Sequence, residues 1–76
     1  MNTIGIIGAM DEEVTLIKSA MNVKNTVEKA GCTFLSGTIE GKNAVVVRCG
    51  IGKVNAAMCT QILIDLFNVD AVINTG

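Results

Sequence analysis

Two apolar runs in this chain end in glycine and pass into segments with helical periodicity. That pairing constrains the fold more than any other feature. The first run is Thr3-Ile4-Gly5-Ile6-Ile7-Gly8, followed by Ala9-Met10 and the acids Asp11-Glu12-Glu13. The second is Ala44-Val45-Val46-Val47-Arg48-Cys49, followed by Gly50-Ile51-Gly52-Lys53. Short, continuous, β-branched runs suit strands buried on both faces, which requires helices above and below a sheet.

The intervening pattern fills in the order β-α-β-β-β-α-β. Val14, Ile17 and Met21 fall at helical spacing, with Leu16 and Ala20 widening the stripe, so the first helix is expected over Asp11–Met21 with Asn22 as its stop. Its opening carboxylates complement the helix dipole. Asn25–Lys29 reads as a short polar strand. Thr33–Glu40 reads as a strand with Leu35 and Ile39 on one face and Phe34 on the other. Gly41-Lys42-Asn43 turns the chain into the strand Ala44–Cys49, and the short turns suggest a meander. A long helix, apolar over much of its surface, is expected over Lys53–Phe67, stopped by Asn68. Asp70–Asn74 then forms another buried strand, reached by a crossover. Two helices are few for five strands. The chain therefore reads as the opening portion of a larger α/β domain, its last strand an aggregation-prone edge.

Composition removes several function classes. The 76 residues carry a net charge of −1, no histidine, no tryptophan and only two aromatics, Phe34 and Phe67. A nucleic-acid surface needs a basic stripe, often with stacking rings, and neither is present. No apolar run approaches the ~18 residues of a membrane span, and the acidic start does not resemble a signal peptide. Without histidine, no Ser-His or Cys-His unit can be assembled from these residues. Cys32, Cys49 and Cys59 are odd in number and lack C-x-x-C spacing. They read as small core residues in a reducing cytoplasm, with neither a disulfide framework nor a zinc site expected.

The glycine loops match no nucleotide fingerprint. A P-loop needs glycine where Val47 stands and Ser or Thr where Val54 stands. A dinucleotide loop needs a third glycine at Asn55, and Asp70 begins a strand where the ribose-binding acid should end one. The glycines therefore have two readings, close helix–sheet packing or backbone approach to a ligand. The acidic trio has two as well. It is a solvated first helical turn, or it holds a general base for water at the mouth of a strand-to-helix turn. Successive helix residues point about 100° apart, so at most one or two of the acids face a common pocket. Pattern alone does not choose between Glu12 and Glu13.

The string Ile4-Gly5-Ile6-Ile7-Gly8-Ala9-Met10-Asp11-Glu12-Glu13-Val14 resembles the start of the bacterial 5′-methylthioadenosine/S-adenosylhomocysteine nucleosidases. Gly31-Cys32, Ser36-Gly37, Gly50-Ile51-Gly52-Lys53-Val54-Asn55-Ala56-Ala57 and Val72-Ile73-Asn74-Thr75-Gly76 continue the resemblance in the same order. It departs at Asp11, where many members carry Glu. The resemblance implies a mixed, twisted sheet flanked by helices, of the nucleoside phosphorylase type and incomplete in this chain. Residues 1–76 would form the amino-terminal part of a single nucleosidase domain.

The implied chemistry is hydrolysis of an N-glycosidic bond in a small-molecule nucleoside, with adenine leaving. Glu13 matches the family's water-activating glutamate. Ala9, Met10 and Ile51 match positions lining the nucleoside pocket. The acid that protonates adenine would lie beyond Gly76, so these residues alone are expected to be inactive. The resemblance further implies a cytoplasmic homodimer that needs no metal or cofactor and engages neither nucleic acid nor membrane. A nucleoside phosphorylase of the same fold, or a non-catalytic binding or assembly module, would explain the same pattern with different chemistry.

Overall fold

Valine and isoleucine crowd the middle of one mixed sheet, and the glycine-terminated runs become its neighbouring central strands. The computed structural model describes residues 2–8, 11–29, 31–49 and 56–74. Its elements are β1 (Thr3–Gly8), α1 (Asp11–Ala20), β2 (Met21–Lys29), β3 (Cys32–Ile39), β4 (Lys42–Cys49), α2 (Ala56–Phe67) and β5 (Ala71–Asn74). The strand order is β2-β3-β4-β1-β5. β2, β3 and β4 form the expected antiparallel meander, while β1 lies parallel to both β4 and β5. The order β-α-β-β-β-α-β therefore holds, with α2 crossing from β4 over to β5.

Each face of the sheet carries one helix. Ile7, Phe34, Val45 and Val47 pack with Cys59 and Leu63 of α2. Leu35 and Val46 pack with Val14 of α1 and with Met21, joined by Ile6, Ile17 and Ile39. Alternate residues of β1 and β4 thus serve opposite cores, which is why both strands read as unbroken apolar runs. Leu35 and Ile39 share one face and Phe34 the other, as their spacing predicts. Phe34 stacks on Phe67 with ring centroids 5.6 Å apart. Gly5 lies where α2 presses closest, since a Cβ added there would sit 2.8 Å from Leu63 Cδ1.

Several boundaries differ from the pattern. α1 stops at Ala20, and Met21 is the buried first residue of β2, not the last of a helical stripe. Leu16 is 72% exposed. A ten-residue helix lying on a sheet buries a narrow strip, here Val14 and Ile17. β2 starts at Met21 and not Asn25, because β3 offers it backbone partners along its whole length. The register shifts between Val23 and Asn25. This bulge sends Met21 and Val23 to the α1 side and Val27 to the α2 side, a reversal that simple alternation forbids.

The β3–β4 connection is tighter than the expected Gly41-Lys42-Asn43 turn. Ile39 already pairs with Lys42, and Glu40 and Gly41 alone reverse the chain at φ 51° and 80°. Positive φ at both central residues is the two-residue hairpin geometry whose twist matches its strands. At the end of α2, Asn68 is the stop its sequence position suggested. It adopts φ 51° and donates its N–H to the Ile64 carbonyl at 3.2 Å. Asp70 then clamps the sheet edge. Its backbone N–H donates to the Thr3 carbonyl, and its Oδ2 accepts from the Thr3 N–H, both at 2.7 Å. Residues 53–55, expected to open α2, lie outside the described residues.

Candidate active site

β1 and β4 run side by side and parallel, in register from Thr3–Asn43 to Gly8–Arg48. The chain leaves β1 for α1 on one face of the sheet. It leaves β4 for α2 on the other. Neighbouring parallel strands whose connections depart to opposite faces open a crevice beyond their carboxyl ends, where open α/β sheets bind ligands. The candidate site follows from topology: β1 and β4 end side by side at Gly8 and Cys49, and β5 ends beside β1, with Asn74 in register with Ile7.

Glu13 is the third residue of α1, five positions after β1 ends, so the backbone sets it in the helical turn that opens from the crevice. It is described by its backbone alone. Ala9, Met10 and Ile51 lie outside the described residues. Of the alternatives in the acidic trio, Glu12 is exposed. Asp70 sits at the opposite end of the sheet, bound to the start of β1. It is therefore remote from the crevice, in keeping with its rejection as a ribose-binding acid.

Of the two readings of the first glycine motif, packing accounts for Gly5, whose missing side chain admits Leu63. The second motif, 50–52, lies outside the described residues.

Sequence spacing did not single out a cavity of about 280 Å³ between α1 and the sheet. Thr15, Lys18, Thr26, Thr33 and Arg48 wall it, over a floor of Val14 and Leu35. These residues come from four elements, and only the register of β2, β3 and β4 brings them together. Among the described residues, no cluster of His, Cys, Asp and Glu is built to hold a metal ion. No described helix is long and apolar enough to cross a membrane.

The cysteines bear out one expectation and correct another. Cys32 and Cys59 are buried in the α2-side core, as small apolar residues should be. Cys32 is nevertheless disulfide-bonded, while Cys59 keeps its thiol. The strand register sets Cys32 directly across from Cys49. Three scattered positions in a sequence do not reveal that proximity. Cys59 Sγ lies 3.8 Å from Cys32 Sγ, and burial pushes the Cys59 thiol above the ordinary thiol value of 9.0.

The architecture is that of an open, mixed α/β sheet with a helix on each face, and similarity to known proteins defines its family. Residues 3–76 match the sequence profile described as the Phosphorylase superfamily. The chain is 57% identical over 76 residues to a 5′-methylthioadenosine/S-adenosylhomocysteine nucleosidase of Halalkalibacterium halodurans, covering all of this chain and 33% of that protein. It superimposes on a nucleosidase of that name from Colwellia psychrerythraea, in complex with adenine, with TM-score 0.85 and 49% identity over 99% of this chain and 31% of the other. The Neisseria meningitidis enzyme in complex with methylthio-immucillin-A gives TM-score 0.84 and 43% identity, over 100% and 33%. The chain belongs to the phosphorylase superfamily and has the nucleoside phosphorylase fold. Within that superfamily, these relatives and structural neighbours are 5′-methylthioadenosine/S-adenosylhomocysteine nucleosidases, and the chain spans about a third of their length.

Proposed function

We propose that residues 1–76 are the amino-terminal part of a single nucleosidase domain. The whole protein would hydrolyse the N-glycosidic bond of 5′-methylthioadenosine and S-adenosylhomocysteine and release adenine. The observation that carries this reading is the parallel pairing of β1 and β4 with connections that leave to opposite faces, α1 and its Glu13 following β1. Support comes from the 57% identity to the Halalkalibacterium nucleosidase and from the adenine-bound neighbour that shares this sheet.

Cleavage of a C–N glycosidic bond passes through an oxocarbenium-like state, as glycoside hydrolysis does. Water must lose a proton as it attacks the sugar carbon, and the departing base must gain one. In this reading Glu13 takes the proton from water. Ala9 and Met10, between β1 and α1, and Ile51, after β4, line the pocket for the ribose and its alkylthio substituent. An apolar lining suits a thioether, which is soft and poorly hydrated. The acid that protonates adenine comes from outside residues 1–76. The reading includes a cytoplasmic homodimer acting on a small nucleoside, with no cofactor and no nucleic-acid or membrane partner.

A phosphorylase is the second reading, because the superfamily takes its name from that activity. There phosphate, not water, would attack. Adenine release by the full-length protein from 5′-methylthioadenosine, with phosphate present and rigorously removed, separates the two. Equal rates are expected, and strict dependence on phosphate would overturn the hydrolase.

A further inference from the structure

Cys32 and Cys59 approach each other between β3 and α2, and the strand register sets the backbone of Cys49 opposite Cys32, outside the chemistry assigned to the crevice. Cys32 opens β3, and Cys49 closes β4 directly opposite it. Residues paired across antiparallel strands have Cα atoms roughly 4.5–5.5 Å apart, inside the roughly 4.4–6.8 Å window that a disulfide spans. Cys59 lies one turn into α2, its Sγ 3.8 Å from Cys32 Sγ. Cys32 is already disulfide-bonded, and Cys59 retains its thiol. One bonded sulfur thus has a second cysteine of the same chain almost in contact.

We propose that Cys32 is the central sulfur of a thiol–disulfide exchange site, bonding to Cys49 across the strand pair and, by exchange, to Cys59 on α2. The oxidant class is a hydroperoxide. A thiolate attacks the peroxide, the O–O bond breaks, and a sulfenic acid forms while the other oxygen leaves as an alcohol (water, from hydrogen peroxide) with the proton the thiol released. The second cysteine attacks that sulfur, the S–S bond forms, the S–O bond breaks, and hydroxide leaves as water with the thiol's proton. Two thiols are oxidised by two electrons and the peroxide is reduced by two.

The exchange step needs no further oxidant. The Cys59 thiolate attacks Cys32 Sγ, and the Cys32–Cys49 bond breaks. Its electron pair passes to Cys49, which takes up the proton Cys59 released. Cys59 keeps its thiol while Cys32 is bonded, and burial raises the Cys59 thiol pKa, so exchange proceeds through its minor thiolate fraction. The two bonds tether different elements to β3. One holds the end of β4 and the other holds α2, on either side of segment 50–55.

The test is a disulfide map of the full-length protein, oxidised with hydrogen peroxide, alkylated under acid quench and digested with trypsin. Cleavage after Lys29, Lys42, Arg48 and Lys53 places each cysteine in its own peptide. In the unsubstituted protein, the Cys32 peptide is expected linked to the Cys49 peptide in the majority and to the Cys59 peptide in the minority. In Cys49→Ser, the Cys32–Cys59 link becomes the main one. Cys32→Ser abolishes every link among the three. Complete alkylation of Cys32 and Cys59 in Cys49→Ser overturns the proposal, as does a Cys49–Cys59 link in Cys32→Ser. If Cys49→Ser does not fold, the unsubstituted protein decides, because a map without any Cys32–Cys59 link rules out exchange. The readout is bond connectivity, so it stands or falls separately from the nucleosidase reading.

Discussion

The two halves of the sheet are built from similar apolar residues by different rules. In β2-β3-β4, neighbours in sequence are neighbours in space, and two residues suffice to turn from β3 to β4. In β4-β1-β5, no sequence neighbours pair, and every connection between strands runs through a helix or through the whole meander. The antiparallel half is specified locally, by turn geometry and alternation. The parallel half is specified by what covers it, because alternate cores claim successive residues of β1 and β4; β5, expected as a buried strand, is instead an open edge with Ile73 50% exposed, since no described helix lies over that residue. The difference accounts for where the proposed site falls. A two-residue hairpin leaves no room for a site, whereas parallel strands with diverging connections create a crevice as a by-product of their topology.

The sharpest way to break this contrast is at Glu13. If the parallel half carries the chemistry, Glu13→Gln in the full-length protein lowers turnover by ~100-fold or more, the usual effect of losing a general base. Binding of a non-hydrolysable nucleoside analogue should stay within a few-fold. Turnover close to that of the unsubstituted protein would remove Glu13 from the mechanism and return it to the role of a dipole-complementing acid.

The next test asks how closely coverage specifies the parallel half. Gly5→Ala introduces a methyl 2.8 Å from Leu63 Cδ1, against a side chain with no exposed surface of its own. Leu63 has little room to yield, so the substitution should cost about 1–3 kcal/mol, the usual range for overpacking. Denaturant unfolding measures it. A loss below a few tenths of a kcal/mol would show that α2 rides more loosely on β1 than the packing implies.

Legibility in the sequence divides along the same line. The central strands, the meander, the stop at Asn68 and the opposed faces of Leu35 and Phe34 all follow from local pattern, and all are present. What local pattern missed depends on partners. Met21 obeys helical spacing with Val14 and Ile17, yet it joins their core from the first position of a strand. Leu16 fits a broad stripe, but a short helix on a flat sheet leaves it in water. β2 is polar enough to look short, and β3 extends it. The approach of Cys32 to both other cysteine positions is a matter of register and helix docking, invisible in spacing. Of the candidate site, the crevice is written in the order of elements. The assignment of Glu13 and of Ala9, Met10 and Ile51 to the proposed site rests on family resemblance alone, since composition left Glu12 and Glu13 equivalent.

Cys59 offers a smaller effect, one that belongs to the covered half. Its thiol is held above 9.0 by burial, so the folded protein binds that proton more tightly than the unfolded chain does. The resulting stabilisation is fully present below pH 9.0. It is lost as pH rises through the higher folded value. Unfolding free energy should therefore fall on the alkaline side, and Cys59→Ala should flatten part of that fall. An unchanged alkaline slope in the variant would mean that other groups account for it.

The mildest test falls in the meander and separates its two turn residues. Glu40 and Gly41 both hold positive φ, but only glycine adopts it without steric cost. No atom lies within 4 Å of where a Gly41 side chain would begin, so Gly41→Ala reports conformational strain alone, at about 1 kcal/mol. Glu40 already bears such a penalty, and asparagine tolerates this region better while matching the favoured Asn-Gly hairpin pair. Glu40→Asn should therefore stabilise the protein by a few tenths of a kcal/mol to ~1 kcal/mol, read as a small rise in Tm. The opposite signs are the discriminating feature. Lost contacts would make both substitutions destabilising, whereas a hairpin specified by its own backbone makes one better and the other worse. If Glu40→Asn lowers Tm, the turn is held by something beyond its dihedral angles, and the antiparallel half is less locally determined than its two-residue connection implies.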